Sequence, residues 1–371
     1  MASALEDLRI VDFSRVLAGP LATMVLADLG AEVIKVERPG SGDDTRGWGP
    51  PYDETGMATY FEAINRNKRS VALDLRSAPG RERARELAGT ADVVVENFRP
   101  GVMERFGLDY EQLRAHSPAL IYCSITAFGT GAGAQLPGYD LLIQALGGLM
   151  SITGAPEGEP QKVGVALVDV VCGLFASTAI LAALRHRERT GEGQRVQLEL
   201  LTCMLAALVN RGSAFTLAGE VGERLGNAHP SIAPYELLAT ADVAIVVAVG
   251  TDAQFAALVE VLGCAELAAQ AAYSTNAARV GGRERLRAEL EARLRERPAA
   301  HWVSALAAAG VPAGPVNDIA AAFALAEPLG LDPTVEIPRA DGSSALLTRS
   351  PIGLSATPPR YRSAPPPLPA P

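Results

Sequence analysis

LRIVDFSRVLAGPLATMVLADLGAEVIKV, Leu8 to Val36, carries the pattern from which the fold follows. Leu8–Asp12 is short, apolar and β-branched, and reads as a strand. The AGP of Ala18–Pro20 interrupts it, and Leu21, Val25 and Leu29 then recur at the four-residue spacing of one helix face. Glu32–Val36 returns to strand. Working outward, the alternation continues through strands at Ser70–Leu75, Asp92–Glu96 and Leu120–Ile125. Helical stretches such as Glu82–Leu87 and Tyr110–Ala115 lie between them. Val- and Ile-rich strands alternating with helices make βαβ units and a mostly parallel sheet, which right-handed crossovers wind into a Rossmann-like α/β fold.

From Tyr139 to about Val209 the chain becomes long, Ala- and Leu-rich helix, broken by TGEGQ and one strand, Arg195–Leu200. Arg211–Ser231 reads as a helix-poor linker. Strands at Tyr235–Ala239 and Val243–Val249, with helices at Ala253–Leu262, Arg283–Arg297 and Ala300–Ala309, then predict a second, smaller α/β domain. The closing SAPPPLPAP predicts an extended or disordered tail.

The 371 residues accommodate one large domain or two, and 48% hydrophobic content excludes disorder over most of the chain. Its 33 basic and 42 acidic residues leave a net charge of −9, which argues against coating nucleic acid or an anionic membrane. Cys123, Cys172, Cys203 and Cys264 stand singly in apolar stretches and read as buried free thiols. The N-terminus has no signal-peptide pattern, so a cytoplasmic location is expected. Val163–Leu184, 22 residues with a single charge, is long enough to span a bilayer. An intramembrane Asp169 would cost about 2.5–3.5 kcal/mol, and burial inside the protein or at a subunit interface is the expectation taken.

No GxxxxGK[ST], HExxH or GxSxG occurs, and no Cys/His cluster has metal spacing, so no metal is expected. Gly129-x-Gly131-x-x-Ala134 follows a strand, but Pro137 and Gly138 come too soon for a helix, which argues against a dinucleotide cofactor. Three loops at strand ends carry cations: Arg38 and Arg46; the NRNKR of Asn65–Arg69; and Asn97, Arg99 and Arg105. Ligands of wound sheets bind outside the carboxyl ends of the strands, so these loops are either a phosphate site or solvated charge. Asp169 lies alone among Val, Leu, Ala and Phe. It is either an ordinary helix cap or a desolvated nucleophilic or acid/base carboxylate.

DFSRVLAGP, LADLGAEVIKVERPGSGDDTR, NRNKRSVALDL, ADVVVENFRPGVMERFGLDYEQL, PGYDLLIQALGG, the Asp169 segment with RTGEGQRVQLEL, and GVPAGPVND occur in that order. At these residues the sequence resembles the class III CoA-transferases, the superfamily of formyl-CoA and carnitine-type CoA transferases and α-methylacyl-CoA racemase. The resemblance implies a Rossmann-like CoA-binding domain over residues 1–210, completed by 330–371. A linker and active-site loop over 211–230 and a small α/β domain over 231–329 follow, in an interlocked homodimer. It implies Asp169 as the catalytic aspartate. It places coenzyme A, the substrate, against Val16, Leu17, Ala18, Arg38, Leu73, Arg76, Asn97, Phe98, Arg105 and Tyr139, with phosphates toward Arg38, Arg76 and Arg105. His229, in the GNAHPSIAP that matches the family's glycine-rich lid, is a candidate substrate contact.

The implied reaction moves CoA from a donor thioester to a small carboxylic acid through aspartyl anhydride and aspartyl-CoA thioester stages. No metal or dinucleotide takes part. The rival readings are a racemase or epimerase of the same superfamily and a non-catalytic CoA-binding protein. The racemase reading lacks its imidazole, because the relevant motif here is Gly138-Tyr139-Asp140. The overall pattern leans toward dicarboxylates such as succinate.

Overall fold

The computed structural model describes residues 3–369, which fall into two units: 3–149, 162–220 and 332–369, and 150–161 with 221–331. In the first unit β1 (Arg9–Asp12), β2 (Glu32–Glu37), β3 (Lys68–Ala72), β4 (Val93–Glu96), β5 (Ile121–Thr126) and β6 (Arg195–Glu199) form one sheet in the order β3-β2-β1-β4-β5-β6. All of its pairings are parallel. Alternate residues of its central strands enter two cores. Ile10, Val33, Val93 and Cys123 face the helices Ala18–Asp28 and Leu167–Thr190, while Val11, Ile34, Val94 and Tyr122 face Ala84, Leu87, Leu108 and Leu113. A sheet covered on both faces explains why these strands read as nearly unbroken apolar runs. The chain leaves β1 toward one edge and returns at β4 to build toward the other. The β1/β4 boundary is therefore the topological switch point, where wound sheets place their ligands.

Helix Leu167–Thr190 is, among the described residues, the one long and apolar enough to cross a membrane, and half of its apolar window is buried. Cys172, Ala176 and Ile180 lie in the core, whereas Leu174, Phe175 and Leu181 are exposed. Gly173 permits its close packing on helix Ala18–Asp28, because a Cβ there would stand 2.7 Å from the Ala18 carbonyl oxygen. All four cysteines are buried free thiols.

The second unit pairs β7 (Tyr235–Leu238), β8 (Ile245–Ala248) and β9 (Ala313–Pro315) antiparallel, the last a strand the sequence reading omitted. Its core joins Leu238, Ile245 and Val247 to Phe255, Leu258, Leu290, Leu294, Trp302 and Leu306. Back in the first unit, β10 (Thr334–Pro338) and β11 (Ser344–Thr348) make an antiparallel hairpin.

One expectation is corrected and another is narrowed. The stretch read as a helix-poor linker begins with a helix, Asn210–Ala218, which ends at Gly219 in the left-handed conformation. The Pro-rich tail is extended but docked, up to the limit of the described residues; Ala370 and Pro371 lie outside them. Asn67, at φ +63°, donates its backbone N–H to the Ser363 carbonyl (2.9 Å), and its side chain binds the Arg362 N–H and the Arg360 carbonyl. The Arg362 guanidinium donates to the carbonyls of Ala27, Gly30 and Ala31 at 2.8–3.0 Å, gripping the turn that follows helix Ala18–Asp28. Ala364 is buried against the hairpin, in a cluster with Ile337 and Ala345. Arg362→Ala is therefore expected to cost about 1–3 kcal/mol, seen as a lowered midpoint in thermal unfolding. An unchanged midpoint would mean that the strap contributes nothing.

Candidate functional site

A cavity of about 200 Å³ opens at the switch point, outside the carboxyl ends of β1, β4 and β5. The loop after β1 forms one wall, and its backbone is fixed on every side. Asp12, fully buried, accepts from the Ser14 N–H (2.9 Å) and the Thr23 hydroxyl (2.6 Å). Lys35 Nζ donates to the Ser14 carbonyl (2.9 Å) and lies 2.8 Å from Asp43 Oδ2, both side chains being inaccessible. The Asn97 carboxamide grips the Arg15 backbone twice, accepting from its N–H (2.9 Å) and donating to its carbonyl (2.7 Å). Val16 consequently holds φ +70°, a conformation that a β-branched residue avoids unless its surroundings impose it.

Asp169 forms the opposite wall, as the third residue of helix Leu167–Thr190. The sequence left open whether it is the cap of that helix. The cap is Asp140, whose Oδ1 accepts from the N–H groups of Val168 (2.8 Å) and Asp169 (3.3 Å). Gln144 steadies that carboxylate by donating to its Oδ2 (2.6 Å), and its own carbonyl accepts from the Val163 N–H (2.9 Å). The Asp169 carboxylate is thus released from capping; no hydrogen bond or ion pair to it occurs among the described residues. It is only 8% exposed. Burial, then the negative charge of Asp140, push its pKa up to about 7. Tyr60, packed edge-on against Trp48, is pushed up to about 12 by burial and by the charges of Asp169 and Asp140. The site therefore pairs an underhydrated carboxylate, chemically able to serve as nucleophile or as acid/base near neutral pH, with a walled space beside it.

Of the residues singled out by sequence, Val16, Leu17, Ala18, Asn97, Phe98, Tyr139 and Asp169 line this cavity together. Arg38 does not, but it pairs with Asp44, a lining residue that also holds Arg15. Leu73 is half-buried beside the second core, and Arg76 and Arg105 stand exposed outside the cavity. His229 lies in the second unit. Its Nδ1 accepts from the Ser231 N–H (3.1 Å), its carbonyl accepts from Arg283 (2.6 Å), and its ring leans on Tyr235. Sequence reasoning missed Arg15 and Asp140 as parts of the site. An acid at the start of a helical stretch directly after Gly138-Tyr139 was the available signal for the second.

The NRNKR loop is not an anion site. Arg66 is paired with buried Asp28 (2.6 Å) and Lys68 with buried Asp12 (3.1 Å), Asn67 holds the C-terminal strap, and only Arg69 is exposed. Arg46 likewise binds Glu37 through two hydrogen bonds of 2.7 Å. Each of these cations neutralises an acid carried into the sheet by an otherwise apolar strand or helix.

Residues 5–370 match CoA-transferase family III. The chain is 44% identical over 370 residues to the succinate–glutarate CoA-transferase of Agrobacterium fabrum, covering 98% of this chain and 92% of that protein. It is also 44% identical over 326 residues to the succinyl-CoA:glutarate CoA-transferase of Mus musculus, covering 88% and 74%. The crystal structure of a CAIB/BAIF family protein from Brucella suis superposes with a TM-score of 0.87 at 44% identity, covering 99% of this chain and 97% of that one.

Proposed function

As this chain belongs to CoA-transferase family III and is a CoA-transferase, we propose that it works through covalent acylation of Asp169 and acts on small dicarboxylic acids. The acids in the names of the two relatives, succinate and glutarate, are dicarboxylates and support that substrate class. The observation that carries the mechanism is the Asp169 carboxylate itself, buried and without a partner while Asp140 takes over the helix cap.

The Asp169 carboxylate attacks the thioester carbonyl of the donor. The carbon–sulfur bond breaks, CoA leaves as thiolate, and an acyl–aspartyl anhydride remains. The thiolate then attacks the aspartyl carbonyl, expelling the donor acid as carboxylate and leaving an aspartyl–CoA thioester. The acceptor carboxylate attacks that thioester, forming a second anhydride and freeing the thiolate again. Attack of the thiolate on the acceptor's acyl carbon gives the new acyl-CoA and restores the Asp169 carboxylate. Each step exchanges one activated acyl group for another. The demand on the protein is to keep water from the anhydrides, which a buried Asp169 favours.

CoA lies, in this reading, along the Val16–Ala18 loop, Asn97, Phe98 and Tyr139, with its phosphates toward Arg38, Arg76 and Arg105 and with Leu73 nearby. The Asn97 side chain, committed to the Arg15 backbone, serves by shaping that loop. A homodimer of interlocked subunits covers the exposed Leu174, Phe175 and Leu181.

The test is to expose the protein to acyl-CoA and quench with hydroxylamine. The peptide containing Asp169 is expected to carry a hydroxamate, detected by mass, only when acyl-CoA was present. An unmodified peptide under turnover would mean direct exchange without a covalent stage.

A further inference from the structure

We propose that Arg15 receives the distal carboxylate of the dicarboxylic substrate, while the reacting carboxylate meets Asp169. The inference rests on the transferase reading and assigns it a specificity-determining residue.

Arg15 lines the same cavity as Asp169. Its loop is immobilised by Asn97, and its guanidinium lies 4.9 Å from the centre of the Phe98 ring, which orients the plane of the fork. That fork is underused. Its Nε is buried without a hydrogen-bond partner, and Nη1 makes one long contact, 3.2 Å, to Asp44. Arg339 also has a buried, unpartnered Nε, but its Nη2 is paired with both Asp53 and Glu62, whereas two further arginines of the unit are more fully engaged. Arg66 donates from Nε, Nη1 and Nη2, and both Nη atoms of Arg362 are engaged. Leaving a buried donor unpaired is unfavourable, and a carboxylate entering the cavity would remove the deficit by accepting from the fork.

Charge points the same way. Asp169, and Asp140 behind it, repel an anionic acid, yet the acid must come within bonding distance of Asp169. The cations lining the cavity are Arg15 and Arg99, and Arg99 is exposed, so its charge is screened by water. The carboxylate now beside Arg15 belongs to Asp44, whose side chain is 40% exposed and shared with Arg38. It is an internal stand-in for the carboxylate of a substrate, placed where it can swing into solvent.

The experiment compares acids and thioesters that differ only in the distal carboxylate: glutarate with pentanoate as acceptors, and succinyl-CoA with butyryl-CoA as donors. Ratios of kcat/KM within each pair cancel any loss of folded protein. Arg15→Gln is expected to reduce both dicarboxylate preferences ten- to a hundredfold, as loss of a charge-assisted fork implies, and Arg15→Lys to recover part of them. Unchanged ratios would overturn the proposal. So would an equal rise in KM for both thioesters that disappears with acyl-pantetheine, since Arg15 would then be a phosphate ligand. Wild-type protein that exchanged no acid would refute the transferase reading instead. Calorimetric titration of glutarate into the CoA complexes of wild type and Arg15→Gln would still decide the matter, because equal affinities would overturn the assignment.

Discussion

Asp169→Asn is expected to abolish CoA transfer by at least a hundredfold and, at the same time, to raise the melting temperature of the protein at pH 8. Both halves follow from one buried carboxylate. As the proposed nucleophile, Asp169 must be ionised, and an amide cannot take its place. As a structural element, the ion is unfavourable: it is buried, has no partner and faces Asp140. Its pKa of about 7 in the folded protein, against 3.8 as an ordinary Asp, fixes the sign. Between pH 4 and pH 7 the unfolded chain has lost this proton and the folded chain retains it. Stability therefore falls as pH rises across that window and stays level above it. A shift of about three units corresponds to at most about 4 kcal/mol, and about 1–3 kcal/mol is a realistic gain for the neutral variant. The two proteins should melt together near pH 4 and separate by pH 8, while wild-type kcat/KM climbs through an apparent pKa near 7. Tyr60 and Cys172, which also interact with the Asp169 charge, are held neutral across this range by upward shifts and do not reverse the sign. Equal melting temperatures at pH 8, or retained transfer, would contradict the assignment.

The difference between what was legible in the sequence and what was not has a physical basis. LRIVD, EVIKV and DVVVE announce themselves because both faces of their sheet are covered, so their period reflects burial alone. The switch point follows from the alternation of strands and helices. Asp169 stood out because an acid in an apolar run must have a reason. Pairing, in contrast, is a property of three dimensions. Arg66 and Lys68 looked like free cations because Asp28 and Asp12, which neutralise them, lie 38 and 56 residues away. Gly212 and Ser213 obscured the helix Asn210–Ala218, since neither favours helix in isolation. The tail was legible as extended or disordered but not as docked, because Pro-rich composition predicts extended chain and says nothing of what it rests on. Its anchors are the φ +63° of Asn67 and the guanidinium of Arg362.

Lys68 shows how much the site depends on such unseen pairing. It is fully buried, and its Nζ donates to Asp12 Oδ2 (3.1 Å), the Pro20 carbonyl (2.8 Å) and Asn65 Oδ1 (3.0 Å). Asp12 in turn begins the loop that carries Arg15, Val16 and Leu17 to the cavity. Lys68→Met is expected to destabilise the protein by about 3–5 kcal/mol, because it strands the Asp12 charge and two oxygens away from water. Adding Asp12→Asn should recover most of that loss. An exposed ion pair would show neither effect, as its rupture typically changes stability by about 0–1 kcal/mol. The ammonium is itself under strain. Burial outweighs the attraction of Asp12 and, helped by the positive charge of Lys35, lowers its pKa to about 8 from 10.5. Between those values the unfolded chain holds a proton that the folded chain has released, so wild-type stability should rise from pH 8 toward pH 10. The double variant, having no amine at this position, should lack the rise. Denaturant unfolding at pH 7, 8.5 and 10 measures both quantities. A single variant no weaker than the double would mean that Asp12 and Lys68 do not form the buried ion pair on which the cavity-lining loop stands, and a flat wild-type profile would mean that burial does not outweigh the attraction of Asp12 at Lys68.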